Sequence, residues 1–598
     1  MATSVQTPPV PGQVPDRKPD QTIASAQPRA NPEVSAPARE ERLFLLLSIF
    51  IGIISGLLVV SFRMAIEWLT VLLQGSAPAP HQLRLLYVPA LAGILIAILT
   101  RFIFPAVRGS GINQTKAALY IHNGYISIRT MIGKFLLSAL AIGSGFSLGP
   151  EDPSLQIGAG VASLISRKVG LSRERLRIFA PVGAAAGLAA AFNAPISAIL
   201  FVIEEVIGQW TAGVLGSVVL SAVSAVVVAR WFWGAEPMFR IPAVTLRDPR
   251  ELLAYAMLGL VGGVASLIFA KALEVLRPLL RRQPAWSQML QPMAAGLLVG
   301  GIGYFGLPQV MGAGYGTIDQ AMHAQFAFKM LLLLAVFKIV ATTLSFSSGT
   351  PGGMFAPTLF VGAMLGASVG AFERHFFPHT VTGSIGSYAL VGMGVLFAAF
   401  LRAPLTSVFM VLEVSGNYSI ILPVILANTI AYLLARSLQP IPIFELFTHQ
   451  DGLYLPSMEE QREESELHFE DALLPVTVPI LQGSQTLASA NDALAQGDAA
   501  ATAVLIQCRD GNWYAARKSE LTTLLAEAGT AATDAPAATL EERLGTERTP
   551  LIFPDQPLAM ALPYFRRWPI LPISNRATRG ALEGVLSLDD VLKRYQRQ

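Results

Sequence analysis

From Leu43 to Leu438 the chain is a succession of apolar runs, and several are too short or too interrupted to cross a membrane as plain helices. Examples are Leu43–Val60, Leu86–Leu99, Phe179–Ile203, Val214–Val228, Leu252–Phe269, Met330–Leu344, Ala389–Phe400 and Ile420–Leu434. A helical span needs about 20 apolar residues. Hydrocarbon supplies no hydrogen-bond partners, so broken segments are tolerated only where they pack on protein or line a cavity. In transporters such breaks mark the binding site. Composition agrees: only 14% of the 598 residues are charged, against about 25% in soluble domains. The pattern predicts an all-α polytopic membrane protein with a smaller soluble part attached.

The soluble part lies at the end. Residues 1–41 are rich in Pro and Ala, show no secretory signal, and read as a disordered tail. Arg17, Lys18, Arg29, Arg39 and Arg42 put that tail in the cytoplasm by the positive-inside rule. After Leu438 the chain becomes charged, with Glu459, Glu460, Arg462, Glu463, Glu464 and Glu466 in one run. We read 42–447 as the membrane domain, 448–464 as a linker and 465–598 as a small cytoplasmic α/β domain. Short runs there, such as Thr502–Gln507 and Glu541–Leu544, suit strands and helices. Two cytoplasmic termini require an even number of full crossings. The lone Cys508 excludes an intramolecular disulfide and fits a reducing compartment. No metal, nucleotide-loop or nucleophile pattern stands out, and the seven His lack ligand spacing, so neither an enzyme nor a nucleic-acid partner is expected.

The membrane domain repeats itself. Lys134, Gly145, Pro153 and Gly158 match Lys338, Gly349, Pro357 and Gly362. Val107, Gly109 and Gly111 match Val310, Gly312 and Gly314, and Ala194, Pro195 and Glu204 match Ala403, Pro404 and Glu413. Three blocks in one order at nearly one spacing imply two halves, about 42–235 and 250–440. Transporters often invert such halves and place the site between them, but spacing alone leaves the inversion open.

Three Gly-rich breaks each precede a helical run: Gly109-Ser110-Gly111-Ile112-Asn113, Gly149-Pro150-Glu151-Asp152-Pro153 and Gly352-Gly353-Met354-Phe355-Ala356-Pro357. Helix starts offer unpaired N–H groups and the positive dipole end, which together bind anions. The plainer alternative is that these glycines allow close helix packing. Glu151 is an intramembrane acid, functional by default, and also a helix-start acid favoured by the dipole. Its repeat partner is Phe355, so symmetry does not demand a carboxylate there. Glu204 pairs with Glu413 and reads as architectural. Glu205 pairs with Val414 and is the better candidate for proton handling, against the alternative of a solvated helix end. Lys134, Lys338 and Arg402 are expected to snorkel or to pair.

These residues resemble the ClC family of chloride channels and proton-coupled chloride transporters over roughly 42–447. Gly109–Ile112 is similar to the family's first anion motif, Gly149–Pro153 to its gating-glutamate motif and Gly353–Pro357 to its third anion motif. Gly187–Pro195 and Arg402–Thr406 support the match. The resemblance implies a homodimer in the lipid bilayer, one pathway per subunit, built from inverted halves with broken helices. It implies that Glu151 is the gate. It implies that Ser110, flanked by Gly109 and Gly111, Gly149 and the backbone at Met354 and Phe355 attend chloride, and that Glu205 is the internal proton glutamate. Four positions depart from the family pattern. Pro150 replaces a cation, Asp152 replaces a Gly, Asn113 replaces a Pro, and Phe444 stands where a Tyr hydroxyl usually reaches the anion. The resemblance also implies that Ser110, where a Pro would stand otherwise, favours chloride over nitrate.

The C-terminal part resembles a pair of CBS modules, roughly 465–528 and 540–598, with Gly584–Asp590 similar to a closing strand and helix. That implies an adenine nucleotide whose ribose Ser587 and Asp590 hold, the alternative being a structural dimerisation domain; no other cofactor is expected. The function implied is chloride/proton antiport across a bacterial inner (plasma) membrane. The rivals are a passive chloride channel of the same fold and a nucleotide-sensing regulatory membrane protein.

Overall fold

A computed structural model of the chain describes residues 32–76, 78–169, 173–208, 212–239, 249–376, 383–453, 455, 467–476, 478–496, 501–530, 539–545, 547–576, 578 and 581–596. Most of the expected tail and the charged run of the linker lie outside the described residues.

Among the described residues, seventeen helices form the membrane domain, sixteen of them as two matching series. The first is α1 (Pro32–Gln74), α2 (Leu83–Phe102), α3 (Ile112–Tyr120), α4 (Ile128–Ser144), α5 (Glu151–Lys168), α6 (Arg173–Phe192), α7 (Pro195–Phe201) and α8 (Ala212–Trp233). The second is α9 (Glu251–Arg281), α10 (Ala285–Tyr304), α11 (Tyr315–Met322), α12 (Phe328–Ser347), α13 (Phe355–Phe376), α14 (Ile385–Leu401), α15 (Pro404–Ser415) and α16 (Ile421–Leu438). A last short helix, α17 (Ile443–Gln450), leads out of the domain. Among the described residues, seven helical stretches are long and apolar enough to cross a membrane. One of them, α13, has 89% of its apolar window buried inside the protein, so it is a central element and not a lipid-facing one.

The relation between the halves is written in reciprocal contacts. Gly149 and Gly353, repeat partners, form an antiparallel bridge with N–H···O distances of 2.8 Å in each direction. Glu204 accepts from the N–H groups of Leu405 and Thr406, and Glu413 accepts from those of Ile196 and Ser197. A Cβ on Gly93 would strike Pro292 O, and one on Gly296 would strike Pro89 O. Each half does to the other what the other does to it, which is the signature of a two-fold axis. The helices α2 and α10 also run antiparallel: Gly93 faces Pro292, while Gly296 and Gly300 face the earlier Pro89 and Leu85. An axis that reverses spanning helices lies across them, so the halves are inverted.

Small residues make the close packing possible. Gly158 on α5 abuts Gly183 and Gly187 on α6, and Gly362 on α13 abuts Gly392 on α14. Without hydrophobic pressure between helices in lipid, such backbone approach is what holds them. Of the two expectations for the buried lysines, snorkelling or pairing, snorkelling is excluded. Lys134 and Lys338 do not snorkel; both are fully buried. Lys134 Nζ donates to Val107 O (3.0 Å) and to Gly109 O, and Lys338 Nζ to Val310 O (2.9 Å) and Gly312 O (2.8 Å). The Gly-rich breaks strip these carbonyls of helical partners, and the ammonium groups satisfy them.

The C-terminal part is a small α/β unit. One sheet has order β1 (Ile480–Gln482), β2 (Ala503–Gln507), β3 (Trp513–Arg517), with β1 parallel and β3 antiparallel to β2; a second pairs β4 (Ile570–Ser574) with β5 (Leu582–Ser587). Leu505, Trp513, Trp568, Ile573 and Leu586 belong to a core shared by the two sheets.

Candidate functional site

The three Gly-rich breaks converge. Gly111 has φ +116°, a conformation side chains resist, and serves as the N-cap of α3. The Gly149–Gly353 bridge sets the starts of α5 and α13 side by side. Asn113 on α3 donates to the carbonyl of Phe444 at the start of α17 (3.1 Å). Four helices, α3, α5, α13 and α17, therefore begin around one region at the interface of the halves. The Phe355 ring is buried there among Phe201, Phe192 and Phe397.

Two acids occupy this junction. Glu151 is fully buried, and neither carboxylate oxygen has a hydrogen-bond partner. A Cβ on Gly149 would meet both its Oε2 and the Ala356 nitrogen (3.0 Å), so the carboxylate sits at the mouth of both α5 and α13. Asp152 is also fully buried; its Oδ2 accepts from the Met354 N–H (3.1 Å), and its Oδ1 is unpartnered. Met354 N–H, expected to face chloride, is thus held by a side-chain carboxylate. Ser110 is buried, and its Oγ accepts from the Ile112 N–H (3.3 Å), which leaves its O–H as a donor. Gln156, one turn after Asp152, is buried with its amide unpartnered.

Cavities approach the junction from both ends. One of about 570 Å³ reaches Pro150 and is lined by Arg63, Glu67, Gln74, Gln309 and Thr317. On the side of α17, a cavity of about 160 Å³ is lined by Lys116, Glu204, Glu205, Arg402, Tyr432 and Glu445. A separate, narrow one of about 40 Å³ brings Arg108, Arg277 and Arg281 to Gly109. A basic mouth at Gly109 and a mixed-charge mouth at Glu205 are therefore distinct openings.

Glu205 is no solvated helix end. It lies on a π-helical turn, Val202–Ile207, that follows α7. There it pairs with Lys116 Nζ at 2.7 Å, both side chains being about nine-tenths buried. Lys116 belongs to α3, whose start carries Ser110, so one short helix connects the anion motif to the acid pair.

The sequence matches the voltage gated chloride channel family over residues 92–436. The chain belongs to the ClC family. The H(+)/Cl(-) exchange transporter ClcA of Yersinia pestis is 32% identical over 413 residues, 67% of this chain and 86% of ClcA. A slow cyanobacterial Cl-/H+ antiporter of known structure has a TM-score of 0.62 at 26% identity, covering 70% of this chain and 99% of that one. A eukaryotic CLC transporter structure shares the fold at 20% identity with TM-score 0.58, covering 92% of this chain and 97% of that one. The last match reaches into the C-terminal α/β unit. This ClC protein is a multi-pass integral membrane protein.

Against the sequence reading, this ClC chain brings Ser110, Gly109, Gly111, Gly149, Glu151, Met354, Phe355 and Phe444 to one junction and places Glu205 at a separate opening. Ser587 and Asp590 are committed to each other: Asp590 Oδ2 accepts from the Ser587 N–H (3.1 Å) and hydroxyl, capping the terminal helix Leu588–Gln596. Sequence reasoning missed Lys116, 89 residues from Glu205, for which no local pattern signals a partner. It also missed the clamp in which Arg277 and Arg281 grip Asp451 at the end of α17. Two arginines one helical turn apart on α9 were its only trace.

Proposed function

We propose that the protein exchanges chloride for protons across a membrane, with Glu151 as the moving gate. One observation carries this reading: a fully buried carboxylate with no side-chain hydrogen-bond partner among the described residues, set at the paired starts of α5 and α13 between the cavity at Pro150 and those at Glu205 and Gly109. An unpaired buried charge is costly. A proton removes that charge, and outward movement carries it to water; either one vacates helix-start donors for an anion. The exchange-transporter names of ClcA and of the cyanobacterial antiporter support the same reading. Glu205 is the proton donor and acceptor on the inner side, with Lys116 fixing its orientation. The assembly is a homodimer in a bacterial inner membrane with both termini cytoplasmic. The C-terminal unit is a CBS pair, and to hold an adenine nucleotide the Ser587–Asp590 contact would have to open.

The test is chloride flux from proteoliposomes with simultaneous recording of external pH. A chloride gradient is expected to drive protons against their own gradient. Chloride flux with no proton movement would overturn exchange and favour a passive channel, a reading that the missing hydroxyl at Phe444 keeps open.

A further inference from the structure

We propose that Asp152 is a built-in competitor for the transported anion: a tethered carboxylate that holds a donor at the start of α13 and thereby weakens chloride binding. The inference rests on the chloride-exchange reading above. Its basis is the position of the side chain. Asp152 belongs to the first turn of α5, yet its Oδ2 takes the Met354 N–H of another helix start, 202 residues away. The residues around it leave it room: a Cβ on Gly353 would lie 2.6 Å from Asp152 Oδ1. That oxygen is buried and has no hydrogen-bond partner of full geometry among the described residues, so the charge-assisted bond from Met354 is the carboxylate's one well-formed contact, with the Phe355 and Asp152 N–H groups and Lys134 adding weaker attraction.

The duplicated frame does not call for this acid. Lys134 and Lys338 hold equivalent carbonyls in the two halves, but the repeat partner of Asp152 is Ala356. The acid therefore adds nothing that the inverted frame needs. It does draw on what an anion would use. Lys134, the cation that acts on Asp152, is bound to Gly109 O, next to Ser110. Pro150 supplies neither a cation nor an N–H. A chloride at the α13 start would meet a carboxylate already holding the Met354 donor and already drawing on the Lys134 charge.

Two variants separate occupancy from charge. Asp152→Gly frees the donor and removes the charge, whereas Asp152→Asn keeps an acceptor oxygen and removes only the charge. Chloride titration of the full-length protein in detergent, by calorimetry, is expected to show Asp152→Gly binding about tenfold or more tightly than the parent, the worth of one charge-assisted hydrogen bond. Asp152→Asn is expected to fall between the two. Thermal melting of the same samples guards against a merely structural cap, which would lower the melting temperature and leave chloride affinity unchanged or weaker. Parental affinity in both folded variants overturns the inference alone, provided that the parent carries chloride in liposomes. No chloride flux in the parent takes down the exchange reading, and this inference with it.

Discussion

The two halves of the membrane domain share a frame and differ in their acids. Each half has a buried lysine on the carbonyls of a Gly-rich break, a bridging glycine and a glutamate that caps a helix in the other half. Only the first half adds Glu151, Asp152 and Glu205, where the second has Phe355, Ala356 and Val414. Duplication thus accounts for the scaffold, and ion chemistry was laid on one copy. Residues with a matching twin should affect folding in pairs. Residues without one should affect transport.

The largest effect on stability is expected at the lysines. Lys134→Met should cost about 3–5 kcal/mol by stripping a buried, hydrogen-bonded charge. It should cost more than Lys338→Met, because Asp152 loses its cation. Adding Asp152→Asn should recover part of the loss in the first case. Equal melting temperatures for the two lysine variants, with no recovery, would break the contrast between the halves.

Next come the capping glutamates. Glu204→Gln and Glu413→Gln each weaken one pair of N–H contacts, at about 1–2 kcal/mol apiece. The two losses should match in thermal melts, and chloride affinity should follow neither.

The smallest effect lies outside both halves. Burial pushes the Cys508 thiol from an ordinary 9.0 up to about 11. The folded C-terminal unit therefore holds this proton more tightly than the unfolded chain does. Its stability from this group is fully present below pH 9 and fades as pH rises toward 11. Maleimide labelling at pH 8 should be slow until that unit unfolds; fast labelling of the folded protein would contradict the burial.

Much of the frame was legible in the sequence because its signals are local: glycines and prolines that interrupt helices, and blocks that recur at one spacing. Glu151 stood out as an acid in such a break. What stayed hidden depends on contacts between distant segments. Lys116 meets Glu205 only because a π-helical turn presents that acid to α3. Asp152 reaches Met354 only because Gly149 and Gly353 pair. The lysines were expected to snorkel or to pair, and their actual partners, carbonyls freed by broken helices, have no local signature in sequence. The C-terminal Ser587 and Asp590 fit a ribose by residue type but satisfy each other in space.

The central claim is that transport chemistry resides in the unmatched acids of the first half. Its most direct test is the proton-to-chloride flux ratio in proteoliposomes containing the parent, Glu151→Gln or Glu205→Gln. Proton flux should fall by about a hundredfold or more in both variants, the scale of a lost proton-transfer group, while Glu205→Gln keeps its chloride flux. An unchanged flux ratio in Glu151→Gln would contradict the account.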